Sequence, residues 1–363
     1  GPGMREFVAM MAALMASNAL AIDSMLPALP AIGDALGVAE DNRRQLVITA
    51  YLLGFGVAQM IYGPLSDRFG RKPLLTVSLV FYGLFALLAG LAGSFALLLG
   101  ARVLQGVAAA STRVLVVSVI RDRYQGSGMA RIMSIVMIVF MIVPVLAPSF
   151  GQGMLAIAGW RHIFIILAVY GVVLAAWTFL RLPETLPPER RTPLSPRHIG
   201  GAIWTTLSTR QSIGNAAAQT LLMGALFAFI NSIQQIVFDV FGRSELIGIV
   251  FACIAGPMAV SSYANSRLVM RFGSRKLLLI ALSAFTCVAT AHLVAAEAVG
   301  IESIWMFVLF QAATMSFFGL IGANAGALAM EPLGHIAGTA SSLQGTITTV
   351  GGALIGFAIG QQF

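Results

Sequence analysis

Gly63-Pro-Leu-Ser-Asp-Arg-Phe-Gly-Arg-Lys-Pro73 lies between two apolar runs. A related stretch, Leu268-Val-Met-Arg-Phe-Gly-Ser-Arg-Lys-Leu-Leu278, lies between two more. In both, Arg-Phe-Gly is followed by paired basic residues. In the first, Gly63 and Gly70 permit close approach and a tight turn, and Pro73 suits the start of the next helix. Asp67 supplies an anion able to meet an arginine or a helix N-terminus. Arg68, Arg71 and Lys72 hold the loop on the cytoplasmic side of a membrane. A merely solvated basic loop accounts for those charges but not for the Gly-Pro-x-x-Asp spacing. The recurrence implies a chain built from two related halves.

Working outward, apolar runs of about 20 residues, the length that spans a bilayer, recur eleven times. They cover 7–33, 45–66, 74–93, 96–120, 131–157, 162–181, 212–239, 246–268, 275–297, 303–329 and 336–361. The composition agrees, with 58% hydrophobic and 10% charged residues, far too little charge for a water-soluble domain. Residues 4–181 form an N-terminal bundle of six helices and 211–363 a C-terminal bundle of five. The charged, proline-rich stretch 182–210 between them is expected to be a linker that cannot bury itself. A repeat of six predicts a twelfth helix, so the sequence is expected to omit one; a natural eleven-helix chain is the less favoured reading. Gly1-Pro2-Gly3 before Met4 reads as a protease-cleavage remnant. The first apolar run reads as a retained helix, not a signal peptide.

The basic residues orient the chain. With a cytoplasmic N-terminus, sixteen of the 22 Lys and Arg fall on the cytoplasmic side. Arg43, Arg44, Arg161 and Arg243 fall opposite, and Arg102 and Arg113 lie inside a helix. That asymmetry sets orientation, and it explains the +8 net charge without nucleic acid. Cys253 and Cys287 lie in apolar helices and read as inert packing residues. The four histidines show no metal-ligand spacing, and no cofactor is implied.

Asp23 is the one carboxylate well inside an apolar helix. A charged Asp at a bilayer centre costs about 2.5–3.5 kcal/mol on insertion scales, so such an acid is a functional candidate, most often for proton coupling. Arg102, Gly106, Ala109 and Arg113 are three or four apart and share a helix face. Two arginines on a face of small residues belong in a polar cavity, not in lipid. Arg113 is eight residues from Arg121, roughly 12 Å deep, which is far for snorkelling to the surface. Arg102 and Asp23 fall at compatible depths for an ion pair. Asn18, Tyr51, Gln219, Asn231, Gln235 and Asn324 are candidate substrate contacts, with hydrogen bonding between helices the competing role for each. Gln59 and Gln311 are weaker candidates of the same kind.

The 63–73 loop resembles the signature loop of the major facilitator superfamily. Arg102-Val-Leu-Gln-Gly106 resembles its helix 4 motif, and Pro144, Pro148 and Gly151 resemble the helix 5 motif of drug:proton antiporters. Ile22-Asp-Ser-Met-Leu-Pro-Ala-Leu-Pro30, Glu184-Thr-Leu-Pro-Pro-Glu-Arg-Arg191, Asn265-Ser-Arg267 and Ala337-Gly-Thr-Ala-Ser-Ser342 look like the Bcr/CflA (bicyclomycin resistance) branch. Gln152 departs from the helix 5 motif, and Arg113 stands where a small or apolar residue is expected. The resemblance implies an all-α polytopic fold of two pseudo-symmetric six-helix bundles. It implies Asp23 as proton carrier with Arg102 beside it. It also implies a cytoplasmic latch around Gly63, Asp67, Arg68, Gly70 and Arg71, in which Asp67 faces the start of helix 11 near Gly338. Pro144 and Pro148 would shape helix 5 between the halves.

The expectation is therefore a monomeric, proton-coupled exporter of small amphiphilic compounds, drugs included, in a bacterial inner membrane, with lipid and protons as its other partners. The alternative is an exporter of an anionic or zwitterionic metabolite that uses Arg113 as ligand. An enzyme is disfavoured because no His-Glu-x-x-His, paired intramembrane Asp or nucleophile–base pair is present. A channel is disfavoured because no filter-like segment is found and the repeat favours alternating access.

Overall fold

The computed structural model describes residues 1–124, 126–191, 196–300 and 302–362. Side chains are described throughout these except at 126–131, 133–135, 137–141, 190, 196, 198, 266, 270, 334–335 and 337–338. The chain is all-helical, with no strand among the described residues. The long helices are α1 (Met4–Asp23), α2 (Leu46–Phe69), α3 (Arg71–Gly90), α4 (Phe95–Arg123), α5 (Gly126–Ile157), α6 (Trp160–Arg181), α7 (Arg210–Gln235), α8 (Ile247–Phe272), α9 (Ser274–Val299), α10 (Ile304–Ser316, resuming as Phe318–Met330) and α11 (Ala337–Gly360). Among the described residues ten are long and apolar enough to cross a membrane. In α5 the described apolar part is Ile142–Ile157.

Within the first half, α2 packs on α4, α3 on α6 and α1 on α5; the second half is built on α7 with α11 and α8 with α10. The halves meet along α2 with α11 and α5 with α8, two pairs that exchange under a six-helix repeat. The repeat reaches the backbone. Gly70 (φ +98°) ends α2 and Gly273 (φ +76°) ends α8, a left-handed conformation that glycine adopts without a Cβ penalty.

Lipid tails are as apolar as leucine, so close packing and hydrogen bonds hold such helices together. The α2–α4 contact shows this. A Cβ on Gly54 would overlap the Val103 carbonyl, and one on Gly106 would overlap the Tyr51 carbonyl. Outward faces are apolar instead of charged: Val77, Val80, Phe81 and Leu84 on α3 are exposed at helical spacing.

Three sequence expectations need correction. The 182–210 linker is not wholly solvated: Leu182 and Leu186 are buried, and Pro196–Ser208 is a helix with Ala202 and Thr206 buried. Cys253 and Cys287 are exposed, not packed inside. Two spans read as continuous are broken. The first ends at Asp23 and resumes as short helices Leu26–Ala28 and Leu29–Ala35. The tenth is interrupted at Phe317, whose N–H turns to the Thr314 carbonyl at 3.2 Å.

Candidate functional site

α1 stops at Asp23 for a local reason: Pro27 has no N–H to give the Asp23 carbonyl. Ser24 N still reaches Leu20 O, but Met25 N tightens to Ile22 O, both at 3.3 Å. The Ala21 carbonyl is thereby released, and Arg102 Nη2 donates to it at 2.9 Å. Arg102 Nε donates to Val47 O (3.0 Å) and Nη1 to Gln105 Oε1 (2.9 Å). Its guanidinium lies 4.5 Å from the Tyr51 ring centroid, a favourable cation–π distance. Arg102 is wholly buried, and no ion pair joins it to Asp23 among the described residues. The expected ion pair and the expected place of Arg102 on the cavity wall are therefore corrected. The Ala21 carbonyl freed at the broken end of α1, the Val47 carbonyl in the first turn of α2 and the Gln105 side chain take its donors, and it joins α1, α2 and α4.

Behind Arg102, Tyr51 Oη donates to Asn18 Oδ1 (2.9 Å), and Asn18 Nδ2 donates to Thr112 Oγ1 (2.8 Å). This chain fixes α1, α2 and α4 at one level.

Next to it lies a cavity of about 240 Å³ walled by both halves. Met15, Asn18, Ile22 and Asp23 come from α1, Leu52 and Phe55 from α2, Arg113 from α4 and Pro144 from α5. The other half supplies Met223, Leu226, Phe227 and Ile230 from α7, Phe251, Ile254 and Met258 from α8, Phe318 from α10, and Thr348 and Thr349 from α11. The wall is mostly apolar with a few placed polar groups, the usual makeup of a small-molecule site. It carries one acid and one guanidinium among the described residues. Asp23 is 4% exposed, and its Oδ1 has no hydrogen-bond partner among the described residues. Arg113 is exposed to the cavity, with no carboxylate at ion-pair distance among the described residues.

At the end away from the basic loops, the halves are joined by uncharged amides. Gln45 Nε2 donates to Gln235 Oε1 at 2.6 Å and to Gly360 O at 3.2 Å. Gln235 Nε2 donates to Asn42 Oδ1 at 2.8 Å, and Gln361 Nε2 to Asn42 O at 2.9 Å.

At the basic end, the 63–73 segment forms a charged cluster. Buried Arg71 meets Asp67 Oδ1 (2.7 Å), Asp122 Oδ2 (3.1 Å) and the Ser66 hydroxyl. Glu184, from the linker, caps α3: Oε1 accepts from Arg71 N (3.0 Å) and Oε2 from Lys72 N (3.2 Å), an anion at a helix N-terminus. Glu184 Oε1 also accepts from Thr185 N and Leu186 N, both at 2.9 Å. Asp67 thus meets Arg71 within its own half; the Gly338 side of the expected contact lies outside the described residues. Gly63 approaches Ser342 of α11. Arg68 is exposed beside Phe69.

The remaining candidates scatter. Tyr51 is fully buried, Gln235 belongs to the amide cluster, and Gln219 packs on Gly326. Asn324 Nδ2 donates to Asn265 Oδ1 (2.6 Å) and Leu320 O (2.8 Å). Buried Asn231 has neither amide atom partnered among the described residues and does not line the cavity. Gln59 Nε2 donates to Thr349 Oγ1 across the halves at 3.1 Å. Of the expected substrate contacts only Asn18 and Arg113 reach the cavity; Pro144 also lines it, while Pro148 is buried. Sequence reasoning missed the apolar wall. Met223, Leu226, Phe227 and Ile230, like Phe251, Ile254, Ala255 and Met258, repeat at i, i+3, i+4 and i+7, but a packing stripe has the same spacing.

The model of the Major Facilitator Superfamily matches residues 10–356. An uncharacterized MFS-type transporter, YdgK, of Bacillus subtilis is 31% identical over 94% of this chain and 85% of its own length. A bicyclomycin resistance protein homolog of Haemophilus influenzae is 28% identical over 92% of this chain and 84% of its own. Among solved structures, a D-xylose-proton symporter superposes with a TM-score of 0.71 at 14% identity, over 97% of this chain and 89% of that one. With two halves of helices closing on one shared cavity, this multi-pass membrane protein belongs to the major facilitator superfamily and is a transporter, not an enzyme.

Proposed function

We propose that the chain is a proton-coupled exporter of small amphiphilic molecules, drugs among them, in a bacterial inner membrane. Its N-terminus is cytoplasmic, so the Arg71 cluster faces the cytoplasm and the amide cluster faces outward. The observation that carries this reading is Asp23: a nearly buried acid with an unpartnered oxygen, on the wall of an apolar cavity shared by both halves. An unpartnered carboxylate costs free energy there unless it binds a proton or a cation. Proton and substrate then compete for Asp23. A proton from outside displaces substrate outward, and its loss to the cytoplasm restores affinity. Each charge moved inward gains about 2.3 kcal/mol per 100 mV. The bicyclomycin resistance relative supports export of drug-like compounds. The functional unit is a monomer, because the cavity is complete within one chain.

The test is efflux from proteoliposomes with and without a pH gradient, against neutral, cationic and anionic amphiphiles. Gradient-driven export of at least one class is expected. Equal fluxes with and without the gradient, for every class, would remove proton coupling.

A further inference from the structure

Arg113 is not used by the proton exchange above, and it is expensive. A guanidinium at mid-membrane depth persists where it faces water or a partner, and here it is exposed to the cavity with no carboxylate at ion-pair distance among the described residues. Arg102 differs, since its donors are spent on Ala21, Val47 and Gln105. The cavity therefore offers two separate ionic groups of opposite sign, Asp23 and Arg113.

Their depths follow from one hydrogen bond. Asn18 Nδ2 donates to Thr112 Oγ1, which places residues 18 and 112 at one level on helices running in opposite directions. Asp23 is five residues from that level towards the amide cluster, and Arg113 is one residue from it towards the basic end. At helical rise the two backbone positions are about 9 Å apart along the axis. Phe55, Phe227, Phe251 and Phe318 line the same cavity.

Coupling decides what such a pair selects. A simple anion on Arg113 binds better when Asp23 is protonated, so proton and anion travel together, the reverse of export against an inward proton gradient. A simple cation competes with the proton at Asp23 but is repelled by Arg113. A molecule with a cationic group at one end and an anionic group at the other satisfies both.

We propose that the preferred cargo is an elongated zwitterionic aromatic amphiphile, its cationic end at Asp23 and its anionic end at Arg113. This rests on the exchange of proton and substrate at Asp23. Arg113 is the specificity-determining residue, and its planar fork suits a carboxylate or phosphate. α-Amino acids, whose charges are adjacent, cannot bridge the two groups.

The experiment is calorimetric binding to the purified protein at neutral pH. The probes are a biphenyl with an aminomethyl group at one end and a carboxylate at the other, its methyl ester and its N-acetyl derivative. Wild-type protein is expected to bind the zwitterion at least tenfold more tightly than either capped form. Arg113→Gln is expected to lower the zwitterion-to-ester affinity ratio by about tenfold to a hundredfold, the loss of one charge-assisted contact, and Arg113→Lys to restore part of it. Wild-type binding with no preference for the zwitterion overturns the proposal, as does an unchanged ratio in Arg113→Gln. If Arg113→Gln does not fold, the wild-type ranking and Arg113→Lys still decide. Proton-driven efflux of the ester alone, with no zwitterion preference, would sink this inference and leave the exporter reading standing. Absence of gradient-driven efflux for all three probes would sink the exporter reading itself.

Discussion

Arg102 Nη2 donates to the carbonyl of Ala21 at 2.9 Å, two residues before Asp23. That carbonyl is free because α1 breaks beside it, and it breaks because Pro27 cannot donate to Asp23 O. Arg102 thus positions Asp23 through the backbone that carries it. A helix 4 arginine and a helix 1 acid are linked mechanically, not by an ion pair.

Removing this cap should destabilise the N-terminal half. Arg102→Ala removes a donor from Ala21 O, Val47 O and Gln105 Oε1; the Ala21 carbonyl, released from its helix, is left unpaired, at a cost of about 1–3 kcal/mol. Arg102→Lys keeps the charge but not the fork or the ring contact, so it should recover only part. Thermal unfolding in detergent reads this directly. A melting temperature unchanged in Arg102→Ala would mean that the freed Ala21 carbonyl finds another donor.

Asp23→Asn keeps the shape of the side chain and removes its titratable proton. The variant should insert and fold, and its pH-gradient-driven export should stop. Substrate exchange without a gradient needs no net proton movement, so it should survive at raised substrate concentration, weakened by the loss of the carboxylate that the substrate's cationic group meets. Normal gradient-driven export by Asp23→Asn would show that coupling resides elsewhere.

The cluster at the basic end makes three predictions. Glu184→Ala should cost about 1 kcal/mol, a typical helix cap. Gly70→Ala should cost more than Gly300→Ala. Both glycines have positive φ, +98° and +75°, but only at Gly70 would the new Cβ run into Glu184 and Arg191. Equal losses would place the cost in backbone strain alone. Arg71→Ala should also lengthen spin-label distances between the halves at this end. Unchanged distances would confine the cluster to a stabilising role.

The fold was legible because its signals are coarse. Apolar length, the repeat at 63–73 and 268–278, and the basic-residue asymmetry each depend on many residues at once. Asp23 stands out in the sequence because a lone acid in an apolar run is costly to insert and does nothing for packing. The break after Asp23 is signalled by Pro27 and Pro30, but the apolar run 7–33 continues across it and reads as one span. Arg102 misled for a physical reason: depth along a helix is readable from sequence, but whether a guanidinium meets a carboxylate or a freed carbonyl depends on where a neighbouring helix breaks. That several polar candidates lie off the cavity has a related reason. Tyr51, Gln235 and Asn324 hydrogen-bond to other side chains, and nothing in a single sequence separates such a residue from one facing a cavity. Glu184 stands in a charged, proline-rich stretch that reads as a solvated linker, although its carboxylate caps α3 from over a hundred residues away.

The amide cluster opposite the basic end should set how readily that end opens. Gln45, Gln235, Asn42 and Gln361 bridge the halves through neutral hydrogen bonds at 2.6–3.2 Å, each worth about 1 kcal/mol net. Gln235→Leu preserves volume and removes two of them. It also leaves one Gln45 N–H and the Asn42 Oδ1 unpaired only while the halves are closed, since opening exposes them to water. The loss therefore falls on the closed state alone, as a shift in population requires. A change of about 1–2 kcal/mol moves the equilibrium roughly five- to thirtyfold towards opening at this end. Spin-label distances between residues flanking 42 and 235 should lengthen accordingly, while those across the basic end shorten. Because no formal charge is involved, the shift should be nearly independent of salt, unlike that of Arg71→Ala. Distances that stay closed in Gln235→Leu would show that the packing of α5 on α8, not the amides, holds this end shut.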